Sequence, residues 1–298
     1  MDREIISEWF RGLQDRICAQ LEAIDGKSKF REDEWVHAEG GGGRTRVLLD
    51  GAVFEKGGVN FSAVEGNLPP MLEKELGIPG TNKFFATGVS IVIHPGSPMV
   101  PIIHMNVRYF ETTSGHHWFG GGIDLTPIYL AENDAKYFHQ SLKKVCDRHH
   151  ERYYDDFKKW ADDYFFIKHR NETRGVGGIF FDRLADTGKF SMEMRWEFVK
   201  DIGDLFAPVY TEIVKRNRDK AFTPANKQWQ LIRRGRYAEF NLVYDKGTRF
   251  GLETSGRTES ILMSLPKEVS WLYDHKPGKG SDEEKALSML RKGLDWIK

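Results

Sequence analysis

Cysteine is nearly absent: Cys18 and Cys146 are the only two in 298 residues, too few for a disulfide scaffold and without metal-site spacing. That fits a reducing compartment, and both thiols read as small core residues. Charge of one sign is also missing, since 44 Lys and Arg balance 44 Asp and Glu. A general nucleic-acid binder normally shows a basic excess, so any anionic partner must be met by locally clustered cations. No apolar run approaches the eighteen or so residues of a membrane span. Asp2, Glu4 and Glu8 interrupt the first twenty residues in a way no secretory or transit peptide does, so a cytoplasmic location is expected. No Pro/Ser-rich linker divides the chain and no repeat is visible, which predicts one domain over residues 1–298.

What is present is a mixture of helix and hairpin patterns. The spacing of Ile5, Trp9, Leu13, Ile17 and Leu21 predicts an amphipathic helix over 4–24. Strand patterns follow over 34–65, with a turn at Asp50-Gly51. The run Gly40 to Gly43 is followed by no Gly-Lys-Ser/Thr and opens no helix pattern, so it reads as a hairpin turn and not as a phosphate loop. Strands over 84–94 and 102–110 are joined by His94-Pro95-Gly96-Ser97-Pro98, and a third runs from His117 to Leu125. Helices are expected from an Asn133 cap to about His150, over Tyr153 to Ile167, over Ser191 to Arg216, from Thr223-Pro224 onward, and over Asp282 to Trp296 with Leu287, Leu290 and Leu294 buried. Gly175 to Phe181 reads as a strand, and Tyr237–Tyr244 with Thr248–Glu253 as a hairpin through Asp245-Lys246-Gly247. Hairpins outnumber βαβ units, so the expected class is α+β: a large antiparallel sheet sandwiched between helices.

Strand parity places candidate chemistry on one face. His104, Asn106 and Arg108 share a side, and Ser90, Val92 and His94 share a side on the preceding strand. Such a polar face is costly to bury without a partner, although a solvated outer face would also explain it. The stretch Trp118-Phe119-Gly120-Gly121-Gly122-Ile123-Asp124 is unusual for a strand, and glycines there let a large flat ligand approach the backbone. Asp124 could equally cap a turn in a glycine-rich bend.

These stretches resemble the oxygen-dependent coproporphyrinogen III oxidase family. The likeness is carried by VSIVIHP (89–95), IHMNVRYF (103–110), WFGGGIDLTP (118–127), DYFFIKHRNETRGVGGIFFD (163–182) and GRYAEFNLVYDKGTRFGL (235–252), with EGGGGRTRVL and GRTESILMSLP toward the ends. It covers about Glu34 to Pro266, with the blocks in a fixed order. The resemblance implies oxidative decarboxylation of two propionates of coproporphyrinogen III to vinyls, giving protoporphyrinogen IX with O2 as co-substrate and CO2 and H2O2 as by-products. It also implies a homodimer.

Carried over by position, the resemblance makes His104, Asp124 and Arg108 catalytic, with Asp124 accepting from the pyrrole N–H groups. Substrate contacts fall on Ser90, Asn106, Arg108, Ser255, Gly256 and Arg257. Bacterial members often have Gly-Gly-Arg where this chain has Ser-Gly-Arg. The segment between Phe110 and Trp118 is also shorter than in many members. Fork-shaped guanidinium groups suit propionates, and histidine suits proton transfer near neutral pH. His94, His104, His139 and His169 match positions that descriptions of bacterial members assign to a divalent metal, yet their spacing carries no local metal signature, and no redox cofactor is expected to be required. A tetrapyrrole carrier would use the same arginines without needing His104 and Asp124 together, and a metal enzyme would rest on the four histidines. The run Arg233-Arg234-Arg236 reads as a propionate-facing or surface cluster, with no nucleic-acid partner expected.

Overall fold

The computed structural model describes residues 2–68, 70, 73–74, 77, 83–253 and 256–298. Helix α1 (Arg3–Asp25) starts at Asp2, whose side chain accepts from the Glu4 amide, and stops at Gly26 in the left-handed region. Its buried stripe is Ile6, Phe10, Leu13, Ile17 and Leu21, while Ile5 is exposed, so the apolar stripe begins one residue later than the spacing of four suggests. Seven strands then form one antiparallel sheet: β1 (Arg31–Val36), β2 (Gly41–Leu49), β3 (Phe54–Asn67), β4 (Lys83–Pro95), β5 (Ile102–Thr112), β6 (His117–Thr126) and β9 (Gly178–Leu184), in that order. Of the glycine run only Gly40 lies in the β1–β2 turn, where the His37 amide bonds Gly41 O; Gly41 to Gly43 open β2, so the turn is residues 37–40.

One face of this sheet carries Val89, Ile91, Ile93, Ile103, Met105, Val107, Phe119 and Ile123, all fully buried. It packs in a single cluster with α1, α2 (Glu132–His149), α3 (Tyr153–Tyr164) and α4 (Met192–Asn217). Each such side chain contributes roughly 1.5–3 kcal/mol on burial, which makes this face the source of most of the fold's cohesion. The opposite face is polar and is roofed by α5 (Pro224–Val243), α6 (Lys246–Glu253), α7 (Thr258–Leu262) and the segment after α7. The short pair β7 (Phe166–Ile167) and β8 (Glu172–Thr173) stands apart from the large sheet, and α8 (Asp282–Ser288) closes the order. The α+β layered architecture is as expected.

Several boundaries differ. The α2 cap is Ala131, not Asn133, and no side chain caps it. The second of these helices ends at Tyr164, because Phe166 and Ile167 turn back to pair with β8. The C-terminal helix stops at Ser288, and Gly293 with φ 77° prevents an extension to Trp296; of the three expected leucines only Leu290 is buried.

The expected hairpin over 237–253 is helical. Thr223 and Asn226 form a capping box, Pro224 opens α5, and Tyr237, Ala238, Phe240 and Asn241 continue its buried face. Leu242, which alternation would have buried beside Phe240, is 47% exposed. Asp245 opens α6: its carboxylate accepts from the Thr248 amide.

Candidate functional site

Register fixes the polar face. Asp33, Thr45, Asn60, Ser90, Asn106 and Gly122 form one row across six strands, and Val92, His104 and Asp124 lie in the next. A third row holds Gly43, Ser62, Gly88, Arg108 and Gly120. The parity reading therefore holds: Ser90, His94, His104, Asn106 and Arg108 share this side, and Asp124 joins them. Helix α7 crosses β2 and β3, where Ser260 bonds Thr45 and accepts from Asn60 Nδ2 at 2.6 Å. Beyond it, Ser90, His104, Asn106 and Arg108 are all half-buried and form the floor of the candidate cleft.

Gly120 leaves room for two side-chain ends. A Cβ at this position would lie 2.4 Å from Asp182 Oδ1 and 2.8 Å from Arg108 Nη2, so glycine lets that ion pair lie flat on the strands. Arg108 donates through Nη2 to Asp182 Oδ1 and through Nη1 to Asn106 Oδ1, both at 2.8 Å.

Asp124 lies on the same side of the sheet but is buried. It is 1% exposed, and its oxygens accept from Arg174 Nη2 at 2.6 Å and Nε at 3.1 Å, and from His104 Nδ1 at 2.8 Å. The resemblance places the pyrrole N–H groups on this carboxylate; in the unliganded chain three of its roughly four acceptor sites already take bonds from buried Arg174 and half-buried His104. Burial alone would raise its pKa. The Arg174 charge, with the His104 hydrogen bond, outweighs burial and holds the carboxyl below its ordinary range. Arg174 is itself 3% exposed, donates to Asn241 Oδ1 at 2.9 Å, and has the Phe165, Tyr237 and Phe240 rings 4.4–4.6 Å from its guanidinium carbon.

An ionised Asp124 can only accept, so Nδ1 of His104 carries the proton. Nε2 is then the nitrogen left for chemistry on a ring that is 18% exposed. The arrangement is a histidine oriented and electrostatically supported by a buried carboxylate, suited to accepting and returning a proton.

Arg257 stands at the other end of the row. Its Nη2 bonds Asp33 on β1 at 2.5 Å, and its Nη1 is buried without a partner. Asp33 and Arg108 lie four strands apart, about 19 Å at 4.8 Å per strand. Gly256 is half-buried beside Arg257, and Ser255 lies outside the described residues.

The four histidines do not fit a shared metal ion. His94 is fully buried with Nε2 on Ser264 O, and burial drives its pKa down to about 3. His139 belongs to the core side, with its nitrogens on the Tyr154 hydroxyl and Val176 O. His169 bonds Tyr244 and Glu239. Among the described residues no three His, Cys, Asp or Glu side chains are placed to hold an ion.

Two of the arginines in the 233–236 run are also not where they were expected. Arg233 and Arg234 are buried and pair with Glu172 and Glu55, so that part of the cluster is neither a surface patch nor a propionate contact. Arg174 and Asp182 were missed in the sequence. The only available signal was their place at the two ends of the glycine-rich stretch RGVGGIFFD.

Comparison with known proteins shows the family. A family model described as coproporphyrinogen III oxidase matches residues 5–296. An oxygen-dependent coproporphyrinogen-III oxidase of Drosophila melanogaster is 50% identical over 96% of this chain and 76% of its own length. Its counterpart from Prochlorococcus marinus is 48% identical over 96% of this chain and 88% of its own length. A chloroplastic one from Glycine max is 48% identical over 99% and 80%.

Proposed function

The chain belongs to the coproporphyrinogen III oxidase family, and from that premise we propose that its chemistry is organised by His104 over the buried Asp124–Arg174 pair. It is an oxygen-dependent oxidoreductase of haem biosynthesis acting on coproporphyrinogen III. For each vinyl formed, a –CH2–CH2–COOH group loses CO2 and two hydrogens, and O2 takes these up as two protons and two electrons to give H2O2. Two propionates react, so two O2 are consumed per protoporphyrinogen IX.

The observation that carries the reading is the His104–Asp124–Arg174 chain beneath a cleft floored by Ser90, Asn106 and Arg108. His104 Nε2 accepts a pyrrole N–H proton, and the Asp124 carboxylate stabilises the resulting imidazolium. The deprotonated, electron-rich ring bonds O2 as a peroxide, which takes the β-hydrogen and, with one proton from solvent, leaves as H2O2; the bond to the carboxylate breaks, CO2 departs as its electron pair forms the vinyl, and His104 returns its proton to the pyrrole nitrogen. Arg174 acts one step back by keeping Asp124 ionised. Arg108 and Arg257 bind propionates with Ser90 and Asn106. No step uses a metal or redox cofactor, since the substrate supplies the electrons.

The homodimer rests on the resemblance alone; sedimentation that shows only a 34.4 kDa species would contradict it. A cytoplasmic location belongs to the same proposal, and among the described residues no helix is long and apolar enough to cross a membrane. The deciding experiment incubates the protein with coproporphyrinogen III in air, without oxygen, and in air with a chelator. Oxygen-dependent vinyl formation that survives chelation is expected. Activity lost on chelation and restored by one metal would refute the cofactor-free route.

A further inference from the structure

The two carboxylates nearest the cleft floor are held in opposite ways. Asp124 is buried and takes three hydrogen bonds from Arg174 and His104. Asp182 is 30% exposed, and among the described residues its one hydrogen bond is from Arg108 Nη2 to Oδ1 at 2.8 Å. The backbone is distorted where Asp182 is aimed. Phe119 pairs with Leu184 and Gly121 with Phe181, so Asp182 and Arg183 together oppose Gly120 alone. Arg183 accommodates the extra residue at φ 52°, in the left-handed region that a side chain enters only at a cost. Phe181 is buried in the core, so its neighbour Asp182 falls on the polar face. There its carboxylate lies over Gly120, where a Cβ would collide with both Asp182 Oδ1 and Arg108 Nη2.

The pair so arranged contributes little to folding, because both side chains are about a third exposed. Its effect falls on ligands instead. On the function proposed above, on which this inference rests, Arg108 seats a propionate, yet its Nη1 already donates to Asn106 and its Nη2 to Asp182. A second carboxylate on the same guanidinium would be repelled by the first. Asp182, held by one bond and open to water, is the one that can turn away. We propose that Asp182 is an internal stand-in for the substrate carboxylate: it occupies the Arg108 seat in the free chain, turns into water when a propionate arrives and returns when the propionate leaves. It thereby sets the affinity of the seat. Each release leaves Arg108 paired, which suits a site that works on two propionates in turn.

The test is equilibrium binding of coproporphyrinogen III to the full chain without oxygen, by calorimetric titration, so that no turnover intervenes. Removing a competitor strengthens binding, so Asp182→Asn should lower Kd about two- to fivefold, the scale of an ion pair this exposed. The same substitution added to Arg108→Ala should leave Kd where Arg108→Ala alone puts it, because the seat is gone. A Kd that rises or stays unchanged in Asp182→Asn would overturn the stand-in, since Asp182 would then position Arg108 for the substrate or play no part. An equal fall of Kd in the Arg108→Ala background would overturn it too, as the general effect of removing negative charge from the cleft. If Asp182→Asn melts below the titration temperature, Asp182→Ser is read by the same criteria. Wild-type protein that does not bind coproporphyrinogen III would instead sink the proposed function, whereas a wild type that binds, with Asp182→Asn no tighter, sinks only the stand-in.

Discussion

Replacing Asp124 by Asn keeps the shape of the side chain and one acceptor oxygen, but it removes the only charge that both Arg174 and His104 address. Arg174 is 3% exposed and its one other polar contact is neutral Asn241, so the variant strands a buried guanidinium. Breaking a buried pair in this way costs about 3–5 kcal/mol. At roughly 2.1 cal/mol/K per residue, the unfolding entropy of a 298-residue chain is about 0.63 kcal/mol/K, so the melt should drop about 5–8 °C. Turnover should fall further. Without the carboxylate the imidazolium loses its stabiliser, and a loss of about a hundredfold or more in kcat is the scale of a removed electrostatic partner.

Stability and rate are separable with Arg174→Met alone and with Asp124→Asn/Arg174→Met. The double variant removes both charges, so it should regain much of the melting temperature while kcat stays low. Circular dichroism melts and steady-state kinetics on the same preparations give both readouts. An Asp124→Asn protein with wild-type melting would show that Arg174 does not depend on the carboxylate. A double variant with restored kcat would refute the role of Asp124 in supporting His104.

Two further outcomes follow from other contacts. Burial lowers the pKa of His94 to about 3 and of His139 to about 4, so the unfolded chain binds more protons below pH 6.5 and stability falls as pH drops; each should cost about 2 kcal/mol between pH 6.5 and 5. His139→Gln should flatten the pH dependence of urea unfolding in that window, and an unchanged slope would contradict the buried neutral state. Arg108→Ala should raise KM roughly tenfold, the low end for a charged hydrogen bond at a group about a third exposed, and Arg108→Lys should recover only part; unchanged KM in both would place the propionates elsewhere.

The cleft floor was legible in the sequence because strand parity is rigid. Once β4 and β5 were recognised, Ser90, His104, Asn106 and Arg108 had to share a side. The partners of that floor were not legible. Asp124 and Arg174 are 50 residues apart, and Arg108 and Asp182 are 74 apart, and no local period links them. Only the pairing of β6 with β9, through the irregularity at Phe119/Gly121, brings the second member of each pair under the cleft. The end of α5 was misread for a different reason. AEFNLVY alternates as a strand would, but Arg233, Arg234, Tyr237, Phe240 and Asn241 recur at helical spacing and are all buried, and this packing overrides local propensity.

Each arginine at the ends of the unliganded floor already has one carboxylate partner, while Arg257 Nη1 has none among the described residues. Arg108 is matched by Asp182, and Arg257 by Asp33. On the function proposed above, a propionate at Arg108 takes the place of Asp182, which lowers its net gain, whereas one at Arg257 also meets the unpartnered Nη1. What remains favourable is the geometry. The two pairs stand about 19 Å apart across the sheet, so only a ligand bearing several carboxylates on a wide frame can engage both at once, and the second engagement is then intramolecular. This explains how a chain with no net charge can select a tetracarboxylate. On the proposed reading, recognition lies in the spacing of two paired arginines across the sheet, and reactivity in His104, on the same strand as Arg108, whose counter-charge is buried beneath it.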